Sequence, residues 1–313
     1  MTILDKLLEK KDVLAYINFR ILSLKNDINI VMKSTPDKNR ELIKERFNGR
    51  ILELEELKTI VHQGMTQLKS KSKSYSRKNR RLNMKNQIIV AMDMEIPEGM
   101  KLMSKTRMSE QVYGYKIGSL WILDSGIDIL RRVRDILYDS TEANSEQKII
   151  LDMQKWGTDI PDIIKKQVEK VAPYVDELIC CPMGAGNQSI KSFGDACIKN
   201  DVVPICVVEM THPNSDKYLK NGYSRMIIED AFDSDINSFV IPATKEVSPE
   251  IKDIMDFYEG SIVKYATGFK TQGGQTKPMV DFGVTKFIVG RAIYESPAPI
   301  SQIELIYKEI NEE

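Results

Sequence analysis

With 313 residues, 42% of them apolar, the chain is long enough for one large α/β barrel and a smaller extra unit. Its 45 basic and 45 acidic residues cancel, so net charge gives no pull towards nucleic acid. No apolar run approaches the roughly 18 residues of a membrane span and no signal peptide is legible, which predicts a soluble, cytoplasmic protein.

Residues 1–65 read as a helical hairpin. Leu14, Ile17, Ile21, Leu24, Ile28 and Val31 recur at alternating steps of three and four, giving one apolar stripe. Thr35-Pro36-Asp37 ends that helix and starts the next, with Thr35 as N-cap and Pro36 in the first turn. The second helix carries Ile43, Phe47, Ile51, Leu54, Leu57 and Val61, with Gly64 as terminator. No chemistry is visible in this part, which reads as a scaffold or oligomerisation unit, and His62 reads as a surface residue. Residues 66–86 are basic and serine-rich: Lys69, Lys71, Lys73, Arg77, Lys78, Arg80, Arg81 and Lys85 stand among almost no apolar side chains. That composition is a linker. Only Tyr75 is available to stack on a base, which disfavours a nucleic-acid partner.

From residue 87 to 313 the pattern changes to short Val/Ile-rich runs separated by helix-like stretches. The runs are 87–93, 113–118, 148–152, 177–182, 203–210, 238–242, 262–268 and 286–290. Eight strands, each followed by helical sequence, predict a closed parallel (β/α)8 TIM barrel carrying the N-terminal helical extension. An open doubly wound sheet is the alternative, but no GxGxxG follows the first strand. The four cysteines form no CxxC pair. Cys180 and Cys206 lie inside apolar runs and read as small core residues.

In a barrel the carboxyl ends of the strands share one face, where the chemistry is kept. The third run ends in a charge cluster, Asp152, Lys155 and Asp159, followed by Ile160-Pro161, where a new element starts. The first strand contributes Asp93 and the second Lys116. The fifth contributes Glu209-Met210-Thr211-His212-Pro213, the seventh Thr267 to Gln275, and the eighth Gly290-Arg291. Loops after strands seven and eight are the usual phosphate site of such barrels, and Arg291 can hold a phosphate bidentately. The ligand is therefore read as a phosphomonoester whose reactive end meets the Asp/Lys cluster. An ion-paired strand end with no function is the plainer reading of that cluster taken alone. His212 reads as a residue that holds its loop by hydrogen bonds, and Trp156 as packing. Lys270 is read as either a further phosphate contact or a solvated charge. Glu209 and His212 lack a third ligand at metal-site spacing, so no metal is expected.

At this point the residues resemble a known family. IVAMD, YKIG, LDMQKWGTDIP, EMTHP, TGFKTQGGQ and VGRAIY stand in the order of the motifs of the orotidine 5'-phosphate decarboxylases, over about residues 87–295. The resemblance implies decarboxylation of orotidine monophosphate to uridine monophosphate without metal or organic cofactor. It implies that Lys155 offsets the charge on carbon 6 and then protonates it, with Asp152 against the substrate carboxylate. It implies a homodimer in which Asp159 reaches the partner's site, and places Lys116 in the same charge array. Asp93 is implied for the ribose hydroxyls, Thr211 for the pyrimidine edge, Gln272 for a bridge between base and phosphate, and Gly273, Gly290 and Arg291 for the phosphate. The chain departs from the family twice. The spacing is Asp152-x-x-Lys155-x-x-x-Asp159, one residue longer in each gap than Asp-x-Lys-x-x-Asp. Ile163 stands where the family commonly has Thr. Residues three apart in a strand point to opposite faces, so a bulge or an early turn is required, and Gly157 can permit such a turn. Two other readings stand beside this one: a Mg2+-dependent sugar-phosphate aldolase or decarboxylase on the same barrel, and a nucleotide-binding protein without catalysis.

Overall fold

The computed structural model describes residues 85–138, 147–153, 158–212, 215, 223–244, 246–258, 262–269 and 273–312, together with helical positions 44, 48, 51, 52, 54, 55 and 58. Two compact units divide between Met84 and Lys85. In the first, Ile51 and Leu54 are half-buried and Lys58 pairs with Glu55 one turn away. The first helix of the expected hairpin, the basic linker up to Met84, and His62 fall outside the described residues.

The second unit is the barrel. Its strands are β1 (Gln87–Ala91), β2 (Val112–Gly118), β3 (Lys148–Asp152), β4 (Glu177–Cys180), β5 (Val203–Val207), β6 (Ser238–Pro242), β7 (Val263–Thr267) and β8 (Lys286–Val289). All neighbours pair in parallel and β8 closes on β1. The helices are α1 (Ile96–Thr106), α2 (Ser119–Ser125), α3 (Asp128–Leu137), α4 (Pro161–Val171), α5 (Asn187–Lys199), α6 (Tyr223–Phe232), α7 (Pro249–Phe257), α8 (Thr276–Asp281), α9 (Arg291–Tyr294) and α10 (Pro299–Asn311). The expectation of a closed (β/α)8 barrel is met. Strands four and five are shorter at their carboxyl ends than expected, because the β4–β5 ladder stops at Cys180↔Cys206 and the β5–β6 ladder at Val207↔Val240. Among the described residues no helix is long and apolar enough to cross a membrane.

Two apolar layers follow from the period-two alternation of the strands. Ile88, Val90 and Met92 point outwards under the helices, whereas Ile89 and Ala91 point inwards with Ile150, Ile179, Ile205, Val207, Val240 and Ile288. The helices complete the outer layer through one stripe each. In α3, Ile129, Leu130, Val133 and Leu137 are buried while Arg131, Arg132 and Asp135 face water. All four cysteines are buried and unbridged, so Cys180 and Cys206 are core residues as expected, with their sulfurs 3.5 Å apart.

One irregularity sets the site. Ile88 pairs with Val112 but Ile89 pairs with Gly114, so Tyr113 is an extra residue in β2. Beyond this bulge Ala91 stands opposite Lys116, Lys116 opposite Ile150, and Gly118 opposite Asp152. A one-residue slip would turn Lys116 to the outer face. The bulge therefore decides that a charged side chain enters the barrel. Gly114 is needed there, because a Cβ would lie 2.2 Å from the Lys148 carbonyl oxygen.

The amino-terminal end of the barrel is filled by a polar plug that the sequence reading did not single out. Glu177, 2% exposed, accepts hydrogen bonds from the hydroxyls of Tyr113 and Tyr265. Lys286 donates to Gln87 and sits 3.2 Å from the centroid of the Tyr113 ring. Burial pushes the Glu177 carboxyl above its usual range and lowers the Lys286 ammonium to about 8, the Glu177 charge opposing that fall.

Candidate active site

The carboxyl end of the barrel opens into a cavity lined by the inner-face residues Ala91, Ile179, Val207, Val240 and Ile288 and by the loops above them. Six of the residues singled out from the sequence line it: Asp93, Lys116, Asp152, Thr211, Gly290 and Arg291. They come from β2 and β3 and from the turns after β1, β5 and β8, so their convergence is a product of closure.

At the base of the cavity Lys116, 8% exposed, donates to Asp152 Oδ2 at 2.8 Å and to Asp93 Oδ1 at 3.3 Å. Burial by itself would lower the Lys116 ammonium, but the two carboxylates and their hydrogen bonds outweigh it and raise its pKa. Lys116 is thus a permanent cation that holds two carboxylates in place. The two ends of the bridge differ in solvation: the Asp152 side chain is 11% exposed and that of Asp93 49%.

Lys155, Trp156, Gly157, Lys270 and Gln272 lie outside the described residues. Asp159 is described and exposed. Its Oδ1 accepts from the Ile160 amide at 2.7 Å and its carbonyl oxygen accepts from Ser189 Oγ at 2.8 Å. It is absent from the lining of its own chain's cavity. β3 ends at Asp152 and α4 starts at Pro161.

The wall next to Asp93 is built from β8, with β7 beyond it. Gly268 and Gly273 have φ of 95° and 83°, and the Gly274 amide donates back to the Gly268 carbonyl at 3.0 Å. Gly274 can bear no side chain, because a Cβ would lie 2.5 Å from that carbonyl oxygen. Gly273 itself is exposed rather than part of the lining. Gly290 precedes the short α9, whose first residue is Arg291 and whose last is Tyr294. Met210, Thr267 and Phe269 line the cavity too, within the stretches that the sequence places at the strand ends, whereas Tyr294 was given no role by the sequence reading. Tyr294 carried a signal, as it stands three positions after Arg291 and so on the same helical face. Burial and the neighbouring Asp93 raise its hydroxyl. His212 is exposed, and its carbonyl accepts from the Ser215 amide at 3.3 Å.

Residues 86–306 match the model of the orotidine 5'-phosphate decarboxylase / HUMPS family. The chain belongs to that family. It is similar to the orotidine 5'-phosphate decarboxylase of Pyrococcus abyssi, with 28% identity over 228 residues covering 72% of this chain and 100% of that protein. The enzyme of the same name from Methanosphaera stadtmanae is 29% identical over 231 residues, covering 73% and 99%. Among solved structures, that of the Pyrococcus horikoshii decarboxylase superposes with a TM-score of 0.58 at 29% identity, over 72% of this chain and 99% of that one. The Methanocaldococcus jannaschii decarboxylase, solved with the inhibitor BMP, gives a TM-score of 0.62 over 74% and 100%. At 23% identity it supports the fold alone. The family match begins at residue 86, so the N-terminal unit lies outside it.

Proposed function

We propose that the chain is an orotidine 5'-phosphate decarboxylase of de novo pyrimidine biosynthesis, acting as a cytoplasmic homodimer and using neither metal nor organic cofactor. The observation that carries this reading is the Asp93–Lys116–Asp152 array at the base of a cavity that Arg291 also lines. A site that only bound a nucleotide would gain little from two carboxylates fixed around a buried ammonium, which is expensive to assemble.

In the reaction the bond from carbon 6 to the carboxylate breaks, CO2 leaves, and the electron pair stays on carbon 6. Lys155 faces that pair, offsets its charge and gives it a proton, producing uridine monophosphate. Asp152 stands against the departing carboxylate, and Lys116 holds Asp152 in that position. No carbonyl of the pyrimidine accepts the electrons, so fixed charges of the protein must supply the stabilisation. Asp93 takes the ribose hydroxyls and Thr211 the edge of the base. Gln272 bridges base and phosphate, and Gly273, Gly290 and Arg291 take the phosphate, whose binding energy orients carbon 6.

Asp159 serves the partner's site. Its exposure supports this reading, as do apolar side chains left in water: the adjoining Ile160 at 64%, and Leu120 and Leu123 of α2, after the neighbouring strand, at 63% and 80%. β2 and β3 are neighbours, so both segments rise from the same side of the barrel and form a face that a second copy can cover. The N-terminal hairpin at 1–65 and the linker after it have no part in the chemistry, and the separate unit ends at Met84.

The test is the loss of orotidine monophosphate absorbance with purified protein in excess EDTA, beside Lys155→Ala. Turnover that survives EDTA and disappears in the variant is expected. Turnover abolished by EDTA and restored by Mg2+ favours the aldolase-type reading. Binding of uridine monophosphate without any turnover favours the non-catalytic one.

A further inference from the structure

The strand-five loop carries the residues assigned to the base, and it is short of backbone ladder. β5 ends at Val207, after which Glu209, Met210 and Thr211 line the cavity. Something other than the sheet must hold them. Thr244 Oγ1 donates to the Thr211 carbonyl at 3.2 Å, and Ser215 Oγ donates to the Met210 carbonyl at 3.0 Å. Glu209 is held from outside the loop: Ser224 Oγ, in the first turn of α6, donates to Glu209 Oε1 at 3.0 Å in a half-buried setting. Its neighbour Tyr223 accepts at its hydroxyl from the Gly184 amide of the loop after β4, at 2.6 Å. The start of α6 therefore ties down two consecutive loops, those after β4 and β5.

Charge gives Glu209 a reason to be held. With Asp93 and Asp152 it is the third carboxylate in the lining of a cavity that has to admit an anionic substrate. A mobile carboxylate there would swing towards the ligand. A hydroxyl donating to one oxygen fixes its direction, and hydrogen bonds to a charged acceptor are the stronger ones.

We propose that Ser224 is a positioning residue for recognition of the pyrimidine: it acts through Glu209 to fix the Glu209–Thr211 segment against the base. This inference rests on the nucleotide reading above. It distinguishes the two ends of one ligand, which gives a readout that a general loss of structure would not produce. Calorimetric titration of the full-length protein with uridine monophosphate and, separately, with ribose 5-phosphate compares base plus phosphate with phosphate alone. Ser224→Ala is expected to weaken uridine monophosphate about tenfold, the size of one hydrogen bond to a charged group. Ribose 5-phosphate binding should stay within twofold, and Ser224→Thr, which keeps the hydroxyl, should restore nucleotide affinity. Equal losses for both ligands, or no loss for either, would overturn the proposal. Wild-type protein that binds ribose 5-phosphate but not uridine monophosphate would refute the nucleotide reading and this inference with it, a pattern unlike either failure of the variant alone.

Discussion

Replacing Lys116 by Met removes the cation from the base of the cavity while nearly keeping its volume. The consequence follows from the solvation of its two partners. Asp93 is half exposed and regains water when the ammonium leaves, so its share of the loss is small. Asp152 is nearly enclosed and exchanges a 2.8 Å charged hydrogen bond for a methyl group. Breaking a buried pair from one side costs about 3–5 kcal/mol. At about 2–4 °C per kcal/mol for a domain of this size, the melting temperature should fall by roughly 10 °C. Lys116→Met/Asp152→Leu removes both charges, and an apolar pair of similar volume is often neutral or better, so the double variant should recover most of the loss. Neither variant should decarboxylate, because the double variant restores packing without restoring the charge array. Thermal melting by circular dichroism, read beside turnover, checks this. A single variant that melts within about 2 °C of wild type, or a double variant no more stable than the single, would show that the bridge is not a buried ion pair in energetic terms.

The polar plug at the other end of the barrel predicts a pH effect. Lys286 releases its proton near pH 8 in the folded chain, whereas an unfolded lysine keeps it to about 10.5. Between those values the unfolded state binds more protons, so this residue's contribution to stability rises with pH through the window. Urea unfolding of Lys286→Met against wild type should therefore show wild type gaining roughly 3 kcal/mol on the variant from pH 7.5 to 10.5, and a constant difference would contradict it. The dimer can be tested by mixing inactive proteins. If Asp159 serves the partner's site, Lys155→Ala and Asp159→Asn, each inactive, form heterodimers with one intact site. Random exchange should then restore about a quarter of wild-type activity, whereas no recovery after verified exchange would place Asp159 in its own chain's chemistry.

Much of the barrel is legible in the chain because its signals are local. Eight Val/Ile-rich runs are strands whatever they pair with, and a parallel ladder buried on both faces needs such runs. The residues at their carboxyl ends are likewise legible as a set, since closure alone brings Asp93, Lys116, Asp152, Thr211 and Arg291 to one mouth. What the tertiary structure decided is which face each side chain takes and what touches it. Lys116 enters the cavity because the bulge at Tyr113 shifts the register of β2 against β1, and nothing in YGYKIG marks which residue is the extra one. Glu177, Tyr113, Tyr265 and Lys286 meet across the barrel floor from four strands, and Ser224 reaches Glu209 from a helix 15 positions on. Periodicity records whether a position is buried. It does not record the partner, because a charged side chain in an apolar run reads the same whether it pairs across a barrel or faces water at a strand end. Only the closed sheet supplies that distinction.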